Sequence, residues 1–240
     1  MVEFLKSKIR FDAAGYYLLG VLMLVFLGFW PSYFAKFFDG SLNYSGYFHF
    51  HAIIVLLWMA VLITQPILIR NKKFSIHRTI GKSTYLLFPL IIISVVLLVH
   101  SRIPFYGKNV EMEIFIPFKD LFTLSIAYGI AIINRHNIEI HARGMIATGI
   151  IFIEPALARF NFRALDGISS YPIFPYVVTV SFMYMILVIL IIAERKRKSG
   201  RWVFPLVLGL LILVHSIRIF NIRMGFWESF VGWFAALPLT

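Results

Sequence analysis

Seven apolar stretches, each about as long as one bilayer crossing, divide this chain of 240 residues. A transmembrane helix needs about 20 mainly apolar residues to cross a hydrocarbon core about 30 Å thick. Of all residues, 60% are apolar, whereas an ordinary globular domain has roughly 45–50%. The sequence therefore predicts an all-α polytopic transmembrane helix bundle that forms a single domain over residues 1–240. The predicted spans are Ala13 to Phe34, Tyr47 to Ile69, Ser83 to Ser101, Phe115 to Asn134, Arg143 to Phe160, Ile173 to Ala193 and Trp202 to Ile222.

Basic residues are distributed unevenly between the two sides of these spans. With seven spans, 15 of the 23 Lys and Arg residues fall on one side, mainly in the N-terminal tail and at 70–82 and 194–201. Cytoplasmic loops of membrane proteins are enriched in Lys and Arg. We therefore expect a multi-pass protein of the bacterial cytoplasmic (inner) membrane, with the N-terminus in the cytoplasm and the C-terminus outside.

The net charge of +12 is then a sign of topology and not of nucleic-acid binding. The partner expected from composition is the lipid bilayer. A homo-oligomer or a partner in a membrane complex is also compatible with the sequence.

Ionisable residues within and next to the predicted spans form two groups at different depths. A charged side chain costs roughly 2.5–3.5 kcal/mol at the centre of an inserted helix, so such residues usually face the bundle interior and are functional. His49 lies on the opposite face of its helix from His51, and we expect it to face lipid headgroups. The group in the outer half of the membrane consists of His51, His100, Asp120, Glu154 and His215, from five different spans. The group at the inner surface consists of His77, Arg78, His136, Glu139, His141 and Arg143.

The outer group contains the side chains that bind transition metals. Zinc and non-haem iron prefer imidazole and carboxylate ligands, and copper also binds where imidazole dominates. Cysteine is absent, which excludes thiolate sites, covalently attached haem and iron–sulfur clusters. The sequence thus predicts a divalent metal ion (zinc, iron or copper) held by His51, His100, His215 and Glu154, with Asp120 as the next candidate ligand. The metal ion would have a hydrolytic, redox or structural role.

Three other hypotheses fit the same residues. The first is haem b, bound by His51 with His100 or His215 and by His77 with His141. A carboxylate buried without a cation partner is expensive, so Glu154 argues against haem. The second is a non-catalytic or transport-like subunit, in which the buried charges form a proton path or a partner surface. The third is that the polar residues only stabilise the bundle, with Glu154 paired to Arg218, Arg159 or Lys119.

The inner group has a simpler explanation, because its imidazole and guanidinium groups lie where basic side chains meet lipid phosphates. Ser75 is predicted to cap the N-terminus of the third span. A pH-sensitive pair of Glu139 and His141 is a further hypothesis for this surface.

Short motifs between about residues 47 and 160 resemble a known family. The motifs are His51-x6-Trp58-x6-Gln65, His77-Arg78-x2-Gly81-x3-Tyr85 followed by His100, and His141-x-Arg143-x-Met145 followed by Pro155-Ala156-x2-Arg159. Over about residues 47 to 160 they resemble bacterial multi-pass membrane proteins known only as a domain of unknown function. This resemblance implies membership of that membrane family and no particular activity.

A looser similarity links the chain to membrane cytochromes b of the ferric-reductase and ascorbate-reducing type, which bind haem through His on successive helices. Those proteins carry matched His pairs on the same helices. Here only the third span has His near both ends, at His77 and His100.

Overall fold

The structure, a computed structural model, describes residues 13–41, 43–168 and 170–240, and these residues contain helices and turns but no strand. The all-α prediction is therefore confirmed for the described residues. The basic residues of the N-terminal tail, Lys6, Lys8 and Arg10, lie outside them. In chain order the helices are α1 Ala14–Phe29, α2 Ala35–Phe38, α3 Gly46–Arg70, α4 Phe74–Lys82, α5 Thr84–Arg102, α6 Val110–Ile133, α7 Ile138–Ile151, α8 Ile153–Ala164, α9 Phe174–Glu194, α10 Val203–Ile219 and α11 Gly225–Ala235.

Six segments of the described chain are long and apolar enough to cross a membrane. They are Ala14–Phe38, Gly46–Arg70, Phe74–Phe105, Gly107–Ile133, Ile138–Ala164 and Phe174–Glu194. The seventh predicted span corresponds to α10, which has 17 residues. At a rise of about 1.5 Å per residue it measures roughly 26 Å, somewhat less than a hydrocarbon core of about 30 Å. Six candidate spans and one shorter apolar helix are therefore established, and the seventh crossing and the orientation of the termini stay predictions.

Two helices, α4 and α11, lie where the sequence predicts no helix. Helix α4 occupies the expected polar loop between the second and third spans. Ser75 lies inside α4, where its carbonyl accepts a bond from Thr79 Oγ1, so the predicted N-cap is wrong. Helix α11 packs against α6, and Trp227 Nε1 donates to the carbonyl of Glu111 at 2.9 Å.

A proline separates α7 from α8. Pro155 has no N–H, and its ring clashes with the carbonyl four residues earlier, which belongs to Ile151. Helix α7 accordingly ends at Ile151, and α8 begins at Ile153. The interruption places Glu154 in the first turn of α8. Here the positive end of the helix dipole favours a carboxylate.

The centre of the bundle is apolar, and much of its outside is too. Trp58, Met183, Leu187 and Val207 are fully buried. Large apolar side chains also cover the surface, for example Ile133 at 80% exposure. Exposed apolar area of this extent suits contact with lipid.

The turns at 71–73, 134–137 and 195–202 lie together at one end, called here the basic end. Two of them are joined by Asn137, whose side-chain amide donates to Ser199 Oγ at 3.3 Å. The loops at 39–45, 103–109 and 165–173 lie at the opposite end, called here the far end.

Candidate functional site

Five ionisable side chains from four helices form a continuous hydrogen-bonded network inside the bundle. Lys119 of α6 donates to Asp120 Oδ1 and to Glu154 Oε1 of α8, at 2.6 Å each. The other oxygen of Glu154, Oε2, lies 2.8 Å from Nε2 of His215 on α10. The second nitrogen of His215, Nδ1, lies 2.8 Å from the hydroxyl of Tyr184 on α9. Asp120, Lys119, Glu154, His215 and Tyr184 are called here the buried network.

Burial differs along the network. His215 is fully buried, Glu154 is 2% exposed and Lys119 is 3% exposed. The side chain of Asp120 keeps 21% of its surface exposed. The side chain of Tyr184 at the other end is also partly exposed, so the network meets its surroundings at both ends, Asp120 and Tyr184.

Lys119 supplies the counter-charge that a buried carboxylate needs. Of the three cations that the sequence offers to Glu154, only Lys119 forms an ion pair with it among the described residues. Arg159 is exposed, donates to the carbonyl of Pro155 at 2.8 Å and acts on Asp120 through its charge. The guanidinium of Arg218 lies 4.7 Å from the ring centre of Tyr176.

The hydrogen-bond partners of His215 determine its tautomer. An ionised carboxylate only accepts, so with Glu154 ionised the proton of a neutral imidazole sits on Nε2. Nδ1 then accepts from Tyr184, whose ring stacks on His215 with centroids 5.6 Å apart. The hydroxyl of Tyr184 also lies 3.5 Å from the carbonyl of Leu211. Tyr184 therefore has a second acceptor within reach.

The structure brings only part of the predicted metal site together. Glu154 and His215 touch, and Asp120 joins them through Lys119. His51 instead pairs with Ser94 on α5, with Nδ1 3.0 Å from Oγ. In the described part of the chain, no three His, Asp or Glu side chains are grouped as a metal ion requires.

His100 has partners of its own near the far end. Its Nδ1 lies 2.6 Å from Thr240 Oγ1, and its ring meets Phe234 of α11 edge-on at 5.3 Å. Helix α11, which the sequence did not predict, thus supplies one wall around His100.

The ammonium of Lys119 lies between the carboxylates of Asp120 and Glu154, where a metal cation would otherwise balance them. Both nitrogens of His215 are also engaged, one by Glu154 and one by Tyr184. A metal ion would have to displace these contacts, so the arrangement lends no support to the predicted ligand set.

The remaining histidines lie in different surroundings. His141 Nδ1 lies 2.9 Å from the carbonyl of Ala131, and His77 is within electrostatic range of His141. Haem binding by His77 and His141 stays a prediction. His49 bonds to the hydroxyl of Tyr33 at 2.9 Å and is partly buried, and its contact with lipid headgroups stays a prediction.

A second buried ion pair lies near the basic end. Arg143 Nε and Nη2 donate to the two oxygens of Glu194, the latter at 3.1 Å, and Nη1 donates to the carbonyl of Glu139. Arg143 is fully buried and Glu194 is 2% exposed. Glu194 could not be recognised from the sequence as a buried ion-pair partner because this residue opens a strongly basic loop. Tyr184 could not be recognised because this residue lies in a run of apolar and aromatic side chains.

An apolar layer separates the two polar regions. Arg143 and Glu154 are eleven residues apart, which is about 16 Å along a helix axis. Ala147 between them and Leu187 of α9 are fully buried. The sequence predicted two polar clusters with an apolar midsection, and the described residues contain such an arrangement.

These features define a helical membrane protein with a buried titratable network in its interior. No protein-family model matches the chain, and no curated protein or solved structure is significantly similar to it. The activity of the protein is therefore inferred from the geometry of the buried network.

Proposed function

We propose that this protein binds and releases a proton at the buried network, and that this protonation drives a conformational step of a transport-like membrane protein. The observation that carries the proposal is the unbroken line from Asp120 to Tyr184, in which every link is 2.6 to 2.8 Å long. Hydrogen-bonded lines of Asp, Glu and His inside membrane spans are typical of proton relays.

The charges of the network favour the uptake of one proton. With both carboxylates ionised and His215 neutral, Asp120, Glu154 and Lys119 sum to one negative charge. An uncompensated charge is costly in a buried environment. The nearby cations Arg159 and Arg218 lie outside the network, and among the described residues neither forms an ion pair with its carboxylates. One added proton makes the network neutral.

The geometry defines a route for that proton. It arrives at Tyr184, whose side chain is partly exposed and whose hydroxyl donates to Nδ1 of His215. The hydroxyl passes its own proton to Nδ1, the ring nitrogen that carries none, and takes up the arriving proton in its place. Nε2 already carries a proton and keeps it towards Glu154, which stays a carboxylate paired with Lys119.

His215 is the end of the route. It reaches the doubly protonated state with a carboxylate at Nε2, and its new Nδ1–H needs an acceptor. Tyr184 meets this need by turning its own hydroxyl proton towards the carbonyl of Leu211, which leaves its oxygen free to accept.

The apolar layer favours a coupled step over a passive proton channel. The route ends at His215, and buried apolar side chains such as Leu187 separate it from the pair of Arg143 and Glu194. A proton reaches the other polar region only if helices move or water enters. Protonation of His215 turns its hydrogen bond to Glu154 into an ion pair, which changes the force between α8 and α10.

The test is solid-state nuclear magnetic resonance of the protein in lipid bilayers with 15N-labelled histidine. The chain has only 7 histidines, so the resonance of His215 is identified from its loss in His215→Gln. We expect the neutral Nε2–H tautomer at high pH and a doubly protonated ring as the pH is lowered. In Glu154→Gln the doubly protonated ring should be lost, whereas Glu228→Gln, which alters an exposed carboxylate, should leave it unchanged.

A His215 ring that stays neutral at every pH at which the protein remains folded would overturn the proposal. The buried network would then only stabilise the bundle. Metal binding by His51, His100, Asp120, Glu154 and His215 also stays a prediction, and elemental analysis tests it. An optical spectrum with a Soret band would instead establish haem.

A further inference from the structure

Unpartnered polar atoms are concentrated between α3 and α4. Gln65 is 9% exposed, and both ends of its amide, Nε2 and Oε1, are buried without a hydrogen-bond partner. Nδ1 of His77 is buried and unpartnered as well. His77 lies against the main chain of Gln65, and a Cβ built on Gly81 would lie 3.9 Å from both amide atoms. These three residues therefore lie next to one another where α3 meets α4.

Such atoms indicate a missing binding partner. Buried polar atoms are hydrogen-bonded in the great majority of proteins, and each exception calls for an explanation. The amide of Gln65 presents a donor and an acceptor side by side. A hydroxyl group satisfies both, whereas a carbonyl oxygen or a fully ionised phosphate only accepts. Water has this chemistry, and so does a ligand that carries hydroxyl groups.

The surroundings of Gln65, His77 and Gly81 are strongly basic. Residues 70–82 contain five basic side chains and no acidic one. The basic residues are Arg70, Lys72, Lys73, Arg78 and Lys82, and all of them are exposed. Helix α4 also exposes Phe74 and Ile76. A short helix with basic and apolar faces is typical of a segment at the surface of an anionic membrane.

We propose that Gln65, His77 and Gly81 form a binding site for an anionic phosphate ester that bears free hydroxyl groups. Its hydroxyls bond to the amide of Gln65 and to Nδ1 of His77, and the positive field of Arg78 and Lys82 holds its phosphate. Two sources supply this chemistry, namely the headgroup of a glycerol-type anionic phospholipid and a soluble polyol phosphate. The site is separate from the buried network, so neither proposal depends on the other.

The experiment is a thermal unfolding series on the full protein in detergent with added phosphatidylglycerol, phosphatidic acid or phosphatidylcholine. We expect the largest rise in Tm with phosphatidylglycerol, a smaller rise with phosphatidic acid, which lacks the headgroup glycerol, and the smallest with phosphatidylcholine. Glycerol 3-phosphate and inorganic phosphate form the soluble arm. A rise with glycerol 3-phosphate as large as that with phosphatidylglycerol identifies the soluble ester as the ligand.

Variants of Gln65 and Gly81 test whether the rise in Tm comes from lipid bound at this site. Gln65→Leu should remove the preference for phosphatidylglycerol over phosphatidic acid and keep the preference for anions. Gly81→Leu should lower the affinity for phosphatidylglycerol at least tenfold, because it fills the space beside Gln65. Gly129→Leu is the matched control, since a side chain at Gly129 meets no neighbour within 4 Å.

Native mass spectrometry counts the lipids bound to each variant and does not depend on the stability of that variant. Equal stabilisation of the unmodified protein by the two anionic lipids would overturn the proposal. So would a Gln65→Leu protein that keeps its preference for phosphatidylglycerol, or a Gly81→Leu protein that binds as many lipids as Gly129→Leu.

Discussion

Lys119 and Glu154, 35 positions apart in the chain, are joined by an ammonium–carboxylate contact of 2.6 Å that links α6 to α8. The same ammonium binds Asp120, so one buried cation serves two carboxylates. This contact selects Lys119 among the three cations that the sequence offers to Glu154. It also places a positive charge where the predicted metal ion would have been.

Removal of the Lys119 ammonium should lower the free energy of unfolding. Lys119→Met leaves Asp120 and Glu154 facing each other without a cation, and breaking a buried ion pair typically costs about 3–5 kcal/mol. We expect a large loss in the free energy of unfolding, measured by chemical unfolding in detergent. The triple variant Lys119→Met, Asp120→Asn, Glu154→Gln should recover much of this loss, because no charge remains to be compensated. A Lys119→Met protein as stable as the unmodified protein would show that Lys119 does not form this buried ion pair.

Tyr184→Phe should impair protonation of His215 without unfolding the protein. The doubly protonated ring needs an acceptor for its Nδ1–H, and the tyrosine oxygen is the acceptor that the structure provides. We expect a much smaller doubly protonated population in the 15N-histidine spectrum under acidic conditions. Tyr128→Phe is the matched control, because Tyr128 donates to Thr84 and lies outside the buried network. Equal effects of the two variants would indicate that Tyr184 has no specific role.

The contact between α1 and α8 should not tolerate a methyl group at Gly28. A Cβ there would lie 2.3 Å from the carbonyl oxygen of Ala156, two residues after Glu154. Overpacking of this kind typically costs about 1–3 kcal/mol, so Gly28→Ala should lower Tm. Gly20→Ala on the same helix meets nothing within 4 Å and should not. A similar Tm for both variants would mean that α1 and α8 do not approach as closely as described.

Gly200 should be required for the ion pair of Arg143 and Glu194. Its φ is +72°, and a Cβ would lie 2.7 Å from Arg143 Nη1. Gly40→Ala is the control, because Gly40 has a similar φ of +74° and open space around it. It therefore measures only the cost of placing an L side chain at positive φ, which is about 1–2 kcal/mol. We expect Gly200→Ala to lower the free energy of unfolding by more than Gly40→Ala, as measured by chemical unfolding. Equal losses would show that the ion pair accommodates a methyl group.

Removal of metal ions should leave the protein unchanged if the buried network is balanced by Lys119. We expect the same Tm with and without a strong chelator, measured on purified protein. A different result would support metal binding. A stoichiometric metal whose occupancy falls in His215→Ala and Glu154→Gln, and not in His49→Ala, would restore the metal hypothesis.

The apolar spans could be predicted from the sequence because hydropathy acts within one helix. A run such as Phe174–Glu194 is long and apolar enough to cross a bilayer whatever its neighbours are. Helical spacing also indicated inward-facing ionisable residues, and Glu154 and His215 indeed meet. The position of Pro155 likewise indicated a bend next to Glu154, because the loss of an N–H is a local property.

Only tertiary structure decided which of these groups touch. Lys119, Arg159 and Arg218 were equally plausible partners for Glu154, since their choice depends on how α6, α8 and α10 are rotated and how closely they approach. His51 and His100 have the same chemistry as His215, yet Ser94 and Thr240 engage them instead. Hydropathy and residue spacing determine the length and the faces of one helix at a time. A hydrogen bond shorter than 3 Å between two helices depends on how those helices are placed relative to each other. That placement results from packing along the whole chain.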